Sequence, residues 1–301
     1  MMTERQENSV RKAEVLIEAI PYIRKFRGTT VVIKYGGSAM VDATLKKAVI
    51  TDIAMLKFLG LRPVVVHGGG KEISALLKRM GKESVFIDGL RVTDSETADV
   101  AEMVLSGSIG KGLVKDLEAV GIHACSINGK DGNTFTASKK VDEKGRDLGF
   151  VGQIDKIDTT LMDTLMDAGF VPVISPIGTD KDGFTYNINA DYAASAVAGA
   201  LHAQKLVFMT DVDGIMRDKD DPESLIKKLS KSEALSLIAD GTINGGMIPK
   251  TECCLDALEK GVMSVHVLDG RIPHSILLEI FTEDGIGTML NGSYDVTVVK
   301  W

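Results

Sequence analysis

Two lysines, one aspartate and a series of glycine-rich turns are the residues of this 301-residue chain whose types suit the handling of a polyanion. Lys34 ends the apolar run Val31–Lys34, where an unpaired ammonium would be costly to bury. Lys250 follows the segment GGMIP, which puts Pro249 at the first helical position and Lys250 in the first turn. A cation there opposes the helix dipole, typically by ~0.3–1 kcal/mol. Each lysine alone has an ordinary account, as a strand end reaching solvent or a side chain curling off a helix. Together they make better sense if both reach one shared anion. Asp191, in the hexapeptide YNINAD (Tyr186–Asp191), then acts as the counter-ion that spaces them. That hexapeptide also has structural uses, with Asn189 as a helix N-cap and Asp191 as a first-turn acid. Those uses leave Asn187 free to hydrogen-bond a substrate.

Four strand-like runs lead into glycine: KYGGS at 34–38, HGGGK at 67–71, SPIG at 175–178 and TDVDG at 210–214. Open α/β sheets bind ligands beyond the carboxyl ends of their strands, and glycine there lets backbone N–H groups approach an anion with no Cβ in the way. Arg91, two residues after Gly89 in GLRVTD, offers a planar fork suited to a substrate carboxylate, although a lone arginine is usually a surface residue. Asp94 or Ser95 caps the helix that follows.

Other chemistries lack their residues. HGGGKE has neither the spacing nor the hydroxyl of a P-loop, GSIGKG at 107–112 also fails, and no strand-following G-x-G-x-x-G occurs. Cys253 and Cys254 are adjacent on a helix, face different directions, and match no zinc spacing with Cys125. The sequence shows no dedicated Mg²⁺ cage. His67 reads as a group that fixes its glycine loop, and Met55, Met80 and Met103 as core filler.

The elements that must position these residues alternate. Apolar runs without polar alternation, at 31–34, 64–67, 171–175 and 206–210, read as strands buried on both faces. Between them lie helical stretches at 44–59, 95–119, 159–168 and 190–203, which together predict an α/β fold with a mainly parallel sheet. Residues 121–158 break that rhythm with polar, glycine-punctuated pieces that predict antiparallel hairpins over the sheet edge. The start, 9–26, predicts an amphipathic helix with Ala13, Leu16, Ile20 and Ile23 on one side and a kink at Pro21. It packs either on its own domain or on another subunit. Thirty-five Lys and Arg against 42 Asp and Glu give a charge of −7, which argues against a nucleic-acid binder. Three cysteines suit a reducing compartment, and neither a membrane span nor a signal-peptide core is visible, so the expected location is cytoplasmic.

The segments VVIKYGGSAM, VVVHGGGKEIS, GLRVTD, YNINADYAA, LVFMTDVDGI and GGMIPK stand in the order found in the amino acid kinase family, which the chain resembles over residues 15–290. GLRVTD with NINAD is most similar to the branch that phosphorylates the γ-carboxylate of N-acetyl-L-glutamate with ATP and Mg²⁺ in arginine biosynthesis. The resemblance implies a three-layer αβα sandwich in two lobes, with an N-terminal helix at 1–28, a substrate and dimerisation lobe at 29–188, and a nucleotide lobe at 189–301. It implies that Lys34 and Lys250 stabilise the transferring phosphoryl group and that Asp191 holds them. Gly37, Gly69 and Gly70 become backbone donors, and Arg91, Asn187 and Asn189 substrate contacts. Gly36, Thr210, Asp211, Asp213, Gly214 and Lys250 become nucleotide contacts. IPYIRKF at 20–26 and the tail at 266–288 are similar to those of arginine-inhibited hexameric members. By that similarity Tyr22, Lys205, Glu279 and Gly287 line a site for L-arginine, with Glu279 otherwise an ordinary exposed helix acid. Whether a PII-type regulator binds is left open. Two alternatives stand beside this reading: a sister kinase for carbamate or another carboxylate, and a non-catalytic arginine sensor on the same fold.

Overall fold

The computed structural model describes residues 3–292 apart from 142–143, 219 and 284. Its first half contains helix α1 (Glu4–Phe26), strand β1 (Thr30–Tyr35), α2 (Ala43–Phe58), β2 (Arg62–His67), α3 (Gly70–Arg79), the short β3 (Phe86–Ile87) and β4 (Leu90–Arg91), α4 (Ser95–Glu102), α5 (Gly110–Glu118) and β5 (Ala124–Asn128). There follow β6 (Phe135–Val141), β7 (Asp147–Ile157), α6 (Thr160–Asp167), β8 (Val171–Ser175), β9 (Ile177–Thr179), β10 (Thr185–Ile188) and α7 (Ala190–Ala200). The chain continues through β11 (Lys205–Thr210), β12 (Lys228–Ser230), α8 (Lys231–Ala239), α9 (Met247–Glu259), β13 (Ser264–Asp269), α10 (Ser275–Phe281) and β14 (Thr288–Asn291).

One eight-stranded sheet runs in the order β12-β14-β13-β11-β1-β2-β8-β5. All its pairs are parallel except β13 with β14. Successive side chains along a strand point to opposite faces, and both faces are covered. Val32, Val66, Ile174, Phe208 and Val267 pack on Ala194, Val197 and Ala198 of α7 and Cys254 and Ala257 of α9. Val31, Ile33, Val65, Val173 and Met209 pack on Ile53 and Leu56 of α2, Leu113 and Leu117 of α5, and Ile276 and Ile280 of α10. This is the expected αβα sandwich, and two-sided burial explains the absence of polar alternation in its strands. Each buried aliphatic side chain contributes about 1.5–3 kcal/mol relative to exposure.

Several local expectations need correction. Helix α1 begins at Glu4, where Thr3 and Gln6 form a capping box, and it continues through Pro21 to Phe26. Val15, Leu16, Ile17 and Ile20 on it are largely exposed, while Ala19, Tyr22, Ile23 and Phe26 meet the core. The stretch 95–119 is not one helix: a π-helical segment, Met103–Ile109, separates α4 from α5, and Asp94 supplies the cap. Within 121–158, β6 and β7 do pair antiparallel, but they close a small barrel with β9 and β10, and Ala124–Asn128 is an outer strand of the main sheet. Met55, Met80 and Met103 are exposed, not core filler. Among the described residues, no helix is long and apolar enough to cross a membrane.

Candidate active site

The two lysines and the aspartate meet. Lys34 lies on the same face of β1 as Val32, the face covered by α7 and α9, so its side chain points at the helices that carry Asp191 and Lys250. The Nζ atoms of Lys34 and Lys250 stand 2.9 and 2.7 Å from the two oxygens of Asp191. Burial would push the Asp191 carboxyl up, but the two ammonium groups outweigh it and hold the group at about 2. Asp191 sits in the first turn of α7, where Asn189 Oδ1 accepts from the N–H groups of Asp191 and Tyr192. The cap therefore occupies the oxygen of Asn189, a residue expected to hold substrate. Helix α9 starts at Met247, two residues earlier than expected, so Pro249 is third and Lys250 fourth in the helix. Phe208, paired with Lys34 across β1 and β11, lies beneath the Lys250 ammonium at 5.6 Å from the ring centre. Phe208 lies within the LVFMTDVDGI segment, where it reads only as a buried strand residue.

The four glycine turns follow the neighbouring strands β11, β1, β2 and β8, and the one after β1 runs against this cluster. A Cβ at Gly36 would stand 2.8 Å from Lys34 Nζ, so the loop after β1 runs against the ammonium itself. Gly37 has φ +69° and no room for a side chain, because a Cβ would lie 2.6 Å from Asp211 Oδ1. That oxygen accepts from Ser38 N–H at 2.7 Å. Gly69, between β2 and α3, is roofed by Ile109 and Leu105 of the π-helical segment. His67 behaves as expected: fully buried, with its basicity driven down by burial to about 4, it stays neutral and bonds Gly68 O and Ser175 Oγ. In the fourth turn, Thr210 Oγ1 donates to Val212 O and accepts from Val212 N–H, Asp213 lies 3.6 Å from Arg271, and Gly214 packs against Leu225 and Thr288.

Arg91 is not at the surface. Its guanidinium is buried, donates to Gly70 O, Ser74 Oγ and Ser84 Oγ, and stacks over Phe86 at 4.6 Å. No carboxylate pairs with it among the described residues, and burial lowers its basicity. A fork held by two hydroxyls and a carbonyl keeps its full charge for an incoming anion. Beside it opens a cleft of about 590 Å³ lined by Gly70, Lys71, Ser74, Ala75, Lys78 and Phe86. Ser74, at the end of the VVVHGGGKEIS segment, and Ser84, outside every motif, orient the fork, and neither was singled out from the sequence. Asn187 lies on β10 between Val151 of β7 and Ile177 of β9, and its amide makes no hydrogen bond among the described residues.

A second cluster forms on the other side of the sheet. Lys205 Nζ lies 2.9 Å from His266 Nε2 and over the Phe26 ring, and His266 Nδ1 donates to Glu279 Oε1 at 2.7 Å. Glu279 Oε2 accepts from the N–H groups of Ile286 and Gly287, so Glu279 is a buried acid and not an exposed one. Burial takes Lys205 down to about 8 and His266 to about 4, leaving the imidazole neutral between them. Tyr22 stands one turn before Phe26 on α1. Cys253 and Cys254 are buried thiols with raised pKa values, and no group of three or more metal-ligating side chains occurs among the described residues.

The arrangement can draw a polyanion between two ammonium groups and seat a carboxylate on a preformed fork. The family model for the amino acid kinase family matches residues 29–269. The chain is 54% identical to the acetylglutamate kinase of Pelotomaculum thermopropionicum, with 93% of this chain and 97% of that one covered. It is 53% identical to the acetylglutamate kinase of Symbiobacterium thermophilum, with 94% and 99% covered. Among solved structures, the N-acetylglutamate synthase of Neisseria gonorrhoeae complexed with coenzyme A and N-acetyl-glutamate superposes with a TM-score of 0.82 at 33% identity, covering 95% of this chain and 64% of that one. Motif order, the converging ammonium groups and these full-length matches agree, and the chain belongs to the amino acid kinase family.

Proposed function

We propose that the protein transfers the γ-phosphoryl group of MgATP to the side-chain carboxylate of N-acetyl-L-glutamate, forming N-acetyl-L-glutamyl 5-phosphate for arginine biosynthesis. One observation carries the reading: Lys34 and Lys250 reach a single carboxylate from opposite sides of the β1–β11 seam. The acceptor is ionised and the donor is a polyanion, so the barrier is mostly electrostatic, and two fixed ammonium groups beside glycine N–H donors lower it without a base. Mg²⁺ enters on ATP's phosphate oxygens. Arg91 and Asn187 hold the α-carboxylate end of the acceptor, and the turn at 210–214 receives the nucleotide. The test is ATP consumption with N-acetyl-L-glutamate, carbamate, glutamate and aspartate in parallel, with hydroxylamine trapping of the acyl phosphate. Turnover with carbamate and not with N-acetyl-L-glutamate would favour the sister-kinase alternative, and no turnover at all the sensor.

Arg91→Ala is expected to raise the KM for N-acetyl-L-glutamate about 100-fold, the loss of a charge-assisted bidentate contact worth about 3 kcal/mol, with little change in the KM for ATP. Arg91→Lys recovers little of it, because a point charge cannot reproduce the fork. Steady-state kinetics with each substrate varied checks this, and equal effects on both KM values would reject the assignment.

We further propose that L-arginine inhibits by binding around Tyr22, Lys205, Glu279 and Gly287, and that α1 joins copies of the chain into a homohexamer. Supporting this are the linked Lys205–His266–Glu279 cluster under Phe26 and the exposed apolar side chains of α1. Deleting residues 1–26 removes the Phe26 cover and that apolar face. The truncated protein is expected to lose arginine inhibition and to elute with a lower mass in size-exclusion chromatography with light scattering. Inhibition that survives the deletion would remove α1 from the control mechanism.

A further inference from the structure

The loop that lies against Lys34 is braced at its far end from within, where Tyr35 Oη donates to Ala39 O, but its start is held from outside. After β1 the chain turns through Gly36 and Gly37 into a single 3-10 helix, Gly37–Met40, whose own N-cap residue is a glycine and offers no side chain. An uncapped helix start leaves its first N–H groups unpaired. One of them, Ser38 N–H, is taken by Asp211 Oδ1 at 2.7 Å, from a residue 173 positions away at the end of β11. Gly37 is shaped around the same oxygen, since a Cβ there would stand 2.6 Å from it. Asp211 Oδ2 makes no hydrogen bond to protein among the described residues, and Asp211 adds to the negative field on Arg271, which Asp269 grips through both carboxylate oxygens. The neighbouring turn is braced as well: Gly270 N–H donates to Thr210 O, and Gly270 lies against Ala39.

We propose that Asp211 is a positioning residue for phosphoryl transfer: from the nucleotide side of the seam it caps the first glycine loop and fixes the direction of the Gly36 and Gly37 N–H groups beside the Lys34 ammonium. This rests on the kinase reading above and assigns the Asp211 side chain to the loop, in place of the nucleotide contact expected of it, leaving the nucleotide to the rest of the turn at 210–214. An N–H donor contributes to a transition state only if it is already aimed where charge develops. A loop released from its cap would lose that aim and leave the lysines in place. The device also explains why two glycines stand in succession there. Gly36 leaves room for the ammonium, and Gly37 leaves room for the carboxylate.

The experiment compares Asp211→Ala and Asp211→Asn with the wild type, reading kcat and both KM values together with hydrogen exchange of a peptide covering residues 35–42. Asp211→Ala is expected to lose about 10- to 100-fold in kcat, to hold the KM for ATP within about threefold, and to exchange the Ser38 amide faster. Asp211→Asn keeps an oxygen that can accept the same N–H, so kcat and exchange should return to within about threefold of wild type. Gly37→Ala should be less damaging in the Asp211→Ala background than alone, because the clash with the carboxylate is gone. A kcat within threefold of wild type in Asp211→Ala overturns the proposal, as does a defect confined to the KM for ATP or an Asp211→Asn enzyme as impaired as Asp211→Ala. A wild type without turnover rejects the kinase reading instead, and the exchange measurement then still decides whether Asp211 holds the loop.

Discussion

Lys250→Ala is expected to lower kcat by about 1,000-fold while the KM values for ATP and N-acetyl-L-glutamate move by less than about fivefold. In the resting protein the ammonium is committed to Asp191 at 2.7 Å, lies over Phe208 and is only 16% exposed. It is therefore not a loose surface charge that screens any passing anion. Its interaction strengthens when negative charge spreads over the equatorial oxygens of the transferring group, and that differential is what appears in kcat. Lys34→Ala should behave in the same way, with a side chain 13% exposed and 2.9 Å from the other Asp191 oxygen. Arginine at either position should rescue poorly, because its broad planar head cannot occupy the space of a compact ammonium. Steady-state kinetics with each substrate varied decides the matter. A kcat within tenfold of wild type in either alanine variant would remove that lysine from the mechanism.

Asp191→Asn should be the most instructive variant for stability. It leaves shape intact but removes the shared carboxylate, so two partly buried ammonium groups face each other without compensation. Breaking a buried pair typically costs 3–5 kcal/mol, and about 3 kcal/mol is expected here because Asp191 retains 20% exposure. Adding ATP should close most of the gap in melting temperature, since the polyanion restores the lost compensation and binds only the folded state. The sign with pH follows from the depressed carboxyl. With a folded-state value of about 2 against an ordinary 3.8, its contribution is fully present above the ordinary value and is lost only as pH falls through about 2. The difference in melting temperature between wild type and variant should therefore be flat from about pH 6 to 8. Thermal melts with and without ATP test this, and equal melting temperatures or a gap that ATP widens would contradict it.

Much of the molecule was legible from residue types. Val31–Lys34, Val64–His67, Val171–Ser175 and Leu206–Thr210 could be read as doubly buried strands because side chains on both faces of a parallel sheet must be apolar. Strands such as Ser264–Asp269 and Ala124–Asn128 were harder, since His266, Ser264 and Asn128 interrupt the apolar pattern and find partners across space in Glu279, Lys205 and Ser106. The α1 face misled in a different way. Its apolar spacing is real, but only the last two turns, from Ala19 to Phe26, meet this chain's own core.

Residue chemistry and spacing by themselves determined the class of chemistry: two cations, a spacer acid, a fork and glycine-lined strand ends describe charge relief at a transferred anion, whatever their arrangement. The fold decided which of these act together and which serve other ends. Strand pleat put Lys34 on the α7–α9 face, and Ser74 with Ser84 turned a lone arginine into a fixed fork. Asp211 met Ser38 across 173 residues of chain. Local sequence reports conformational preference within a few residues, whereas electrostatic and hydrogen-bond partners are chosen by distance in space, and that distance is set by packing both sides of one sheet.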